Sequence, residues 1–547
     1  MNRNRNLQKA KTDEFDICII GGGASGVGCA LDAALRGFKV ALVEKSDIAA
    51  ETSSKSTKLI HGGVRYLEQA FKKLDFAQLR QVKHGLAERH ILLHNAPHLA
   101  RPLAIVTPVF SWFEGFYFSI GLKLYGLFAK NDTLPQADWL NKKETFQHIP
   151  TLHPNVHSAV IYYDGQLDDA RYCLAIAHSA DEAGAVMLNH SKVTGFEKNS
   201  KGKLSAVHIE DQLDKSTYSI KAKVFINCTG PFADGIRLMA NPQEFPRIKP
   251  SKGVHLVLPS EVLNSENAML IPKTKDGRLV FVIPFEGEVM VGTTDTAYTA
   301  LEQEPCLENS EVDFLLETLE RFLAKRPEKS QIKAGFGGLR PLLAPKRARL
   351  NNPKETKSLL RDHEVEHDES SNLVSLLGGK WTTYRLMAKD TIDVVSSILK
   401  KETICKTEDY FLVGGENFST ENAQFLQEKY SLDAAIAQHL NQKYGNRAES
   451  VLKLAENKPE LLTKIHADYP FIKAEVLYSI KEEMVCGLRD FFARRTRLEL
   501  LNWQATLDSI TEVATLMAQE LAWSEAQTQN HIAEYSSEIK DFMQKVE

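Results

Sequence analysis

The sequence lacks three features that mark particular classes of protein: paired cysteines, long apolar runs and an excess of charge of one sign. Its seven cysteines are scattered and include no C-x-x-C pair, which argues against a disulfide framework or a zinc site and fits a reducing compartment. No run of about 18 apolar residues occurs, so no transmembrane helix is expected. The net charge is −4, from 67 basic and 71 acidic residues, which argues against a nucleic-acid binder. We therefore predict no metal site and no nucleic-acid partner.

The remaining composition is that of a globular protein. Apolar residues make up 43% of the chain and charged residues 25%, both ordinary values. At 547 residues the chain is too long to fold around one hydrophobic core, so two or three domains are expected. The first twelve residues are polar and basic without an apolar core, which does not indicate a secretory signal. We expect a soluble or surface-bound protein.

The chain opens with the pattern of a β-α-β unit. Residues 15–20 indicate a buried strand, 25–36 an alanine-rich helix closed by Gly37, and 39–44 a second strand. Similar strand-turn-helix character returns at 373–381. These patterns predict a doubly wound α/β domain.

The turn between the first strand and helix satisfies G-x-G-x-x-G. Gly21 permits the tight turn, Gly23 lets the backbone approach a pyrophosphate, and Gly26 lets the helix pack on the strand. Glu44 ends the second strand, where a ribose hydroxyl needs an acceptor and where a 2′-phosphate would be repelled. The turn therefore predicts dinucleotide binding and disfavours NADP.

Later segments indicate further units. Residues 97–154 have broken, aromatic-rich patterning typical of an inserted cap, and strands at 253–258, 279–284 and 289–293 predict an antiparallel sheet. After about residue 406 the pattern is helical, most clearly over 421–444 and 473–494.

A polar run at 52–58 follows the second strand. Its hydroxyls and amides could line an extended flavin, which an NAD enzyme does not need; a solvated loop is the alternative. The choice of cofactor depends on motifs further along the chain.

Those motifs occur in order over most of the sequence: STKLIHGGVRYL (56–67), YYDGQLDDAR (162–171), INCTGP (226–231), KGVH (252–255), GGLRP (337–341), LRDH (360–363), GGKWTTYR (378–385) and a helical end at 474–498. In these the chain resembles the membrane-associated, FAD-dependent glycerol-3-phosphate dehydrogenase family, within the D-amino-acid-oxidase-like flavoproteins. One departure is Cys228, where the wider group more often has alanine.

The resemblance implies FAD as the cofactor, with a Rossmann-type FAD-binding domain, an antiparallel-sheet substrate domain and an all-helical C-terminal domain. It implies FAD-binding segments at 13–96, 159–245 and 335–404, a cap at 97–158, a substrate sheet at 246–334 and the helical domain at 405–547. The implied cofactor-binding residues are Gly21, Gly23, Ala24, Ser25, Gly26, Glu44, Thr52, Ser53, Lys58, Leu59, His61, Val193, Thr229, Gly230, Gly379, Lys380 and Thr382.

Oxidation of a secondary alcohol requires a base, a cation that stabilises the developing alkoxide, and cations that bind a phosphate. His255 is the candidate base, since an imidazole titrates near neutral pH; a hydrogen-bonded core histidine is the alternative. The resemblance makes Arg340 the alkoxide-stabilising residue. It makes Arg65, Tyr66, Arg361 and Lys380 substrate ligands, although an isolated arginine is more often a solvated charge.

Electrons from glycerol 3-phosphate would pass to a quinone. An aromatic-rich helical face points either to the membrane or to the protein's own cap: Trp112, Phe113, Phe116, Tyr117, Ile120, Leu124, Leu127 and Phe128. Ser111, Glu114, Ser119 and Lys123 are expected on the opposite side. Arg489, Arg494, Arg495 and Arg497 are read as attracted to anionic lipid or as a solvated face.

These interpretations favour peripheral attachment to the inner face of the cytoplasmic membrane. A homodimer is a possible oligomeric state. The competing functions are a glycerol-3-phosphate oxidase that uses molecular oxygen, another flavoprotein oxidase of the same fold, and a scaffold that retains FAD for structure.

Overall fold

A computed structural model describes residues 1–63, 76–128, 134–275, 277–344 and 363–546. Its helices are α1 (Arg3–Thr12), α2 (Ala24–Leu35), α3 (Phe76–Asn95), α4 (Trp112–Leu127), α5 (Lys142–His148), α6 (Asp169–Glu182), α7 (Ala233–Ala240), α8 (Asn309–Glu320), α9 (Tyr384–Ile398), α10 (Asn422–Tyr430), α11 (Ala434–Tyr444), α12 (Ala448–Lys453), α13 (Ala474–Glu483), α14 (Leu498–Leu501), α15 (Trp503–Leu521) and α16 (Glu525–Gln544).

The strands are β1 (Glu14–Ile20), β2 (Val40–Val43), β3 (Leu59–Ile60), β4 (Ala100–Val109), β5 (Asp138–Leu140), β6 (Ser158–Leu167), β7 (Val186–Leu188), β8 (Ser191–Lys198), β9 (Leu204–Asp211), β10 (Thr217–Asn227), β11 (Ile248–Pro259), β12 (Ala268–Ile271), β13 (Val280–Phe285), β14 (Glu288–Gly292), β15 (Thr296–Ala297), β16 (Ala334–Leu343), β17 (His363–Asp368) and β18 (Leu373–Gly378).

The first sheet is a doubly wound sheet with β1 near its centre. Its main path runs β17-β18-β10-β1-β2-β7, and β1 pairs in parallel with both β2 and β10. Because β18 is also parallel to β10, the turns after β1, β10 and β18 meet at the same edge of the sheet. Helix α2 packs against α6 and α9. The predicted strand-turn-helix units near residues 15 and 373 are therefore confirmed.

The second sheet is mainly antiparallel and contains β11, β13 and β14 as predicted. It also contains β16, which pairs with β11 and was not predicted as a strand. Strand β4 pairs with β6 over ten residue pairs and with β12. Residues on both sides of position 158 therefore belong to this sheet, and the segment boundaries drawn from the sequence stay predictions.

The C-terminal part contains helices α10 to α16 and no strand among its described residues, apart from an isolated bridge between Lys464 and Ile472. Each of the two clearest predicted helical segments is interrupted. Residues 421–444 break at Ser431, which has a left-handed φ of 52°. Residues 473–494 break at Met484, with a φ of 55°, before a π-helix at Asp490–Arg495. In the described parts of the chain, no helix has the length and apolar character needed to cross a membrane.

Candidate active site

The glycine-rich turn after β1 is as tight as its sequence suggests. Gly21 has a φ of +109°, and a Cβ there would lie 2.7 Å from the carbonyl oxygen of Cys228. A Cβ on Gly26 would lie 1.9 Å from the carbonyl oxygen of Gly21. Only glycine fits at either position, so the first turn of α2 can approach a phosphate through backbone N–H groups.

Glu44 is bound directly to this turn. Its Oε2 accepts a hydrogen bond from the backbone N–H of Gly22 (2.7 Å), and its Oε1 accepts one from Ser46 (2.9 Å). Burial raises the pKa of Glu44, while these two hydrogen bonds act to lower it. A carboxylate has further lone pairs, so Glu44 can still accept a ribose hydroxyl.

A cavity of about 550 Å³ extends from this turn to the second sheet. Its lining contains most of the residues predicted from the sequence: Gly21, Gly23, Ala24, Ser25, Glu44, Thr52, Ser53, Leu59, His61, Val193, Thr229, Gly230, His255, Arg340, Gly379, Lys380 and Thr382. Gly26 and Lys58 are not in this lining. Arg65, Tyr66 and Arg361 lie outside the described residues.

The polar run 52–58 is an ordered wall of this cavity. Thr52 donates to the carbonyl oxygen of Leu339 (2.7 Å), and the Ser53 hydroxyl accepts from the backbone N–H of Ala24 (2.9 Å). Trp381 donates from its indole nitrogen to the carbonyl oxygen of Ser53 (2.9 Å). The run thus connects α2, β16 and the start of α9, and it is not a solvated loop.

Lys58 points away from the cavity into a buried ionic cluster. Its Nζ lies 2.7 Å from Oδ2 of Asp169 and donates to the carbonyl oxygen of Ser54 (2.6 Å). Burial, and then the nearby charge of Arg497, lower the pKa of Lys58 to about 7. In this arrangement Lys58 supports the wall from behind.

His255 lies on β11, opposite Gly292 of β14. Its Nε2 is 3.0 Å from Oγ1 of Thr57, and its ring stacks on Phe336 at 4.9 Å between centroids. A Cβ on Gly292 would lie 2.3 Å from the imidazole Cδ2. Burial, followed by the positive charges of Lys58 and Arg340, holds the pKa of His255 well below its usual range. The imidazole is therefore neutral at physiological pH.

Arg340 lies on the neighbouring β16, and its side chain passes over Gly253 of β11. A Cβ on Gly253 would lie 2.3 Å from Nη2 of Arg340. The same Nη2 donates to Oγ1 of Thr293 and to the carbonyl oxygen of Thr294, both at 3.0 Å. Asp295 lies 3.6 Å from Nη1. The guanidinium is thus fixed in one orientation beside the cavity.

Gly378, Gly379 and Lys380 form the turn between β18 and α9. Gly378 and Gly379 have φ values of +73° and +88°, and a Cβ on Gly379 would lie 2.3 Å from the methyl carbon of Met387. The turn places Lys380 in the cavity lining with His255 and Arg340.

Sequence reasoning did not predict that Thr57, Thr293 and Thr294 contact the site residues. It also did not predict that Gly253 and Gly292 leave room for the side chains of Arg340 and His255. The glycines carried a readable signal, because an isolated glycine inside a strand indicates close approach by another group. The threonines carried none, since their hydrogen bonds depend on strand register.

The reading of the C-terminal arginines as lipid-attracted or solvated was wrong for three of them. Arg494, Arg495 and Arg497 are buried. Arg494 and Arg495 pair with Asp47, and Arg497 pairs with Asp169. Buried guanidinium groups need such partners, because an unpaired charge in the interior is prohibitively costly.

Helix α4 presents a large apolar surface to solvent. The exposed side chains are Trp112 (63%), Phe113 (73%), Phe116 (48%), Tyr117 (46%) and Ile120 (46%). Ser119, expected on the polar side, is buried; Leu122 and Tyr125 face the core with it. The expectation for Ser119 was wrong because the helix packs on the sheet along that side.

Comparisons with known proteins agree with this geometry. Residues 16–388 match the family described as FAD dependent oxidoreductase, and residues 405–528 match the C-terminal domain of alpha-glycerophosphate oxidase. The chain is 39% identical to the probable mitochondrial glycerol-3-phosphate dehydrogenase of Dictyostelium discoideum, covering 97% of this chain and 85% of that protein. It is 40% identical to the mitochondrial glycerol-3-phosphate dehydrogenase of Homo sapiens, with 96% and 73% covered.

Among solved structures, the glycerol-3-phosphate dehydrogenase from Bacillus halodurans complexed with FAD superimposes with a TM-score of 0.79 at 30% identity, covering 98% of this chain and 97% of that chain. The L-alpha-glycerophosphate oxidase of Mycoplasma pneumoniae shares the fold, with a TM-score of 0.56 at 18% identity over 73% of this chain and 99% of the other. The glycine turn, Glu44 and the long cavity fit the dinucleotide half of FAD. The chain therefore belongs to the FAD-dependent oxidoreductase family, in the group of the glycerol-3-phosphate dehydrogenases, and its cofactor is FAD.

Proposed function

We propose that this protein oxidises sn-glycerol 3-phosphate to dihydroxyacetone phosphate. The observation that carries the proposal is that one cavity joins the dinucleotide turn to an imidazole and two cationic side chains, His255, Arg340 and Lys380. Such a set is suited to a substrate that has both a hydroxyl group to be deprotonated and an anionic group to be bound. The relatives of the chain include glycerol-3-phosphate dehydrogenases, which supports glycerol 3-phosphate as that substrate.

FAD supplies the hydride acceptor for carbon 2 of the substrate. The neutral His255 takes up the proton that leaves the hydroxyl group. Arg340, held by Thr293 and Thr294, stabilises the negative charge that develops on that oxygen. Lys380 binds the phosphate, and the sequence resemblance adds Arg65, Tyr66 and Arg361 as further ligands.

We also propose that the electrons pass to a quinone at a membrane surface, the inner face of the cytoplasmic membrane. The exposed aromatic side of α4 supports this, because aromatic side chains are favoured at the boundary between lipid headgroups and acyl chains. Phe113 and Tyr117 share a groove with three basic side chains, Lys273, Lys275 and Arg321, and two acidic ones, Glu114 and Glu317. The basic side chains exceed the acidic ones by one. Basic groups beside an apolar surface add attraction to anionic lipid.

The test is anaerobic absorption spectroscopy of the FAD-loaded protein with glycerol 3-phosphate. Bleaching of the oxidised band at about 450 nm, as for a flavin cofactor, is expected for the wild type. Rapid recovery with a quinone analogue and slow recovery in air support the dehydrogenase; rapid recovery in air alone supports an oxidase.

Arg340→Met is the matched variant, since it removes the guanidinium but leaves the glycine turn intact. It should keep its FAD and reduce it about 100-fold or more slowly with glycerol 3-phosphate, because the group that stabilises the developing negative charge is lost. A wild-type protein that binds FAD and does not bleach would contradict the proposed substrate.

A further inference from the structure

His255 has little direct access to the cavity in which its substrate must bind. Only 2% of the residue is exposed. One side of the ring stacks on Phe336, and Gly292 lies so close that an added Cβ would overlap the ring edge. The Nδ1 atom is buried and has no hydrogen-bond partner among the described residues. The imidazole cannot turn towards a substrate without displacing this packing.

Thr57 contacts this imidazole and also lines the cavity. Its Oγ1 lies 3.0 Å from Nε2 of His255, and the residue is half-buried and lines the cavity. A hydroxyl group has one proton to donate and two lone pairs with which to accept. Thr57 can therefore donate to Nε2 on one side while it accepts a proton on the other.

The backbone around Thr57 is held on both sides by the same carboxylate oxygen. Oδ2 of Asp169 accepts from the backbone N–H and the hydroxyl of Ser56, at 2.9 and 2.7 Å, and it pairs with Nζ of Lys58 at 2.7 Å. Arg497 binds the other oxygen of Asp169 (2.8 Å) and the carbonyl oxygen of Ser54 (2.7 Å). All of these contacts are buried or half-buried, so Thr57 is held in a fixed place.

We propose that Thr57 is the proton relay between the substrate and His255. The substrate hydroxyl gives its proton to Oγ1 of Thr57 while the proton of Thr57 moves to Nε2 of His255. The hydrogen on carbon 2 leaves with both electrons of its bond and reduces FAD, and the C–O bond of the substrate becomes a carbonyl. This inference rests on the proposed function. It deepens that function by assigning the group that receives the hydroxyl proton.

The relay requires a particular protonation pattern in the resting protein. Nε2 of His255 must be the unprotonated ring nitrogen, so that it can accept from Thr57, and Nδ1 must carry the proton. The ring then ends the step as an imidazolium, which burial and the charges of Lys58 and Arg340 disfavour, so it must lose this proton before the next turnover.

The kinetic experiment compares Thr57→Val, Thr57→Ser and the control Thr515→Val, which removes an equivalent hydroxyl on the exposed side of α15. All are first checked for FAD content and thermal stability. Flavin reduction by glycerol 3-phosphate should be about 100-fold slower or more in Thr57→Val, the size of a lost acid–base contribution. The substrate dissociation constant should be unchanged, and Thr57→Ser should restore most of the rate.

Equal losses in Thr57→Val and Thr57→Ser would assign Thr57 to packing and overturn the relay. Full activity in Thr57→Val would also overturn the relay, and it would mean that His255 takes the proton directly from the substrate. A wild type that is not reduced by glycerol 3-phosphate would instead contradict the proposed function, so the two failures are distinguishable. If Thr57→Val does not fold, Thr57→Ala takes its place in the comparison with Thr57→Ser.

A second measurement does not depend on turnover. The FAD-loaded protein, without substrate, is labelled with ¹⁵N-histidine, and the His255 resonances are identified by their loss in His255→Asn. The wild type should show an unprotonated Nε2 whose shift changes when Thr57 is replaced by valine. A protonated Nε2 in the wild type would overturn the relay.

Discussion

Nη1 of Arg495 lies 2.6 Å from Oδ2 of Asp47, and neither side chain is exposed to solvent. Asp47 follows β2 and the cofactor-side residue Glu44, whereas Arg495 ends the π-helix of the C-terminal part. Nε of Arg494 lies 2.6 Å from the same carboxylate oxygen. The C-terminal helices are therefore joined to the loop after β2 through buried charge.

Removing one member of this cluster should destabilise the protein strongly. Asp47→Asn leaves two buried guanidinium groups short of their counter-charge, and the expected loss is about 3–5 kcal/mol of unfolding free energy. Chemical denaturation with saturating FAD measures it. The control is Arg5→Met, whose pair with Asp181 is half-exposed and should contribute about 1 kcal/mol or less. Equal losses in the two variants would contradict the importance assigned to Asp47.

A methyl group at either strand glycine should displace a catalytic side chain. Gly253→Ala would place Cβ 2.3 Å from the Arg340 guanidinium, and Gly292→Ala would place it 2.3 Å from the His255 ring. Both variants should bind FAD but lose about 100-fold or more in the rate of flavin reduction, as misplaced catalytic groups do. Gly487→Ala is the control, because its Cβ meets no atom within 4 Å. Unchanged reduction rates in both variants would show that the neighbouring side chains have freedom to move.

The exposed side of α4 should control membrane binding without affecting chemistry. Phe113→Glu combined with Trp112→Glu puts two carboxylates where the most exposed aromatic rings of this helix lie. Burial of a carboxylate at a lipid interface is unfavourable, so co-sedimentation with anionic phospholipid vesicles should be lost. Reduction of FAD by glycerol 3-phosphate in solution should remain. Vesicle binding at the wild-type level would mean that α4 does not contact lipid.

His98 should make the protein less stable in acid. Its pKa is lowered from 6.5 to about 3, first by burial and then by the charge of Arg171. Between these values the unfolded chain binds a proton that the folded protein does not, so stability falls as the pH decreases from 6.5 towards 3. The contribution approaches about 1.4 kcal/mol per pH unit for one proton.

His98→Gln removes this proton, so its unfolding free energy should depend less steeply on pH than that of the wild type. Urea denaturation at a series of pH values between neutrality and about pH 4 measures the two slopes. The exposed His90→Gln should keep the wild-type slope. A His98→Gln slope equal to that of the wild type would contradict a neutral, buried His98.

The first β-α-β unit and its cofactor turn were predictable because their signals are local. Gly21 and Gly26 are needed for backbone geometry within a few residues of themselves, and Glu44 follows the second strand directly. The same holds for Gly379, because the sequence of the turn after β18 resembles that of the turn after β1. The breaks in the C-terminal helices were not predictable, because Ser431 and Met484 adopt left-handed conformations without being glycine.

By itself, the sequence determined the family, the cofactor turn, and the candidate base and cations. Each of these depends on short motifs, and the motifs occur along the chain in the order typical of the family. Only the tertiary structure decided that Arg494, Arg495 and Arg497 are interior charges and that Thr57 contacts His255 and lines the cavity. Hydrogen bonds and ion pairs between residues hundreds of positions apart depend on strand register and on which helix packs where. A periodic pattern of apolar residues indicates that a side chain faces the interior, but it does not indicate which residue that side chain contacts.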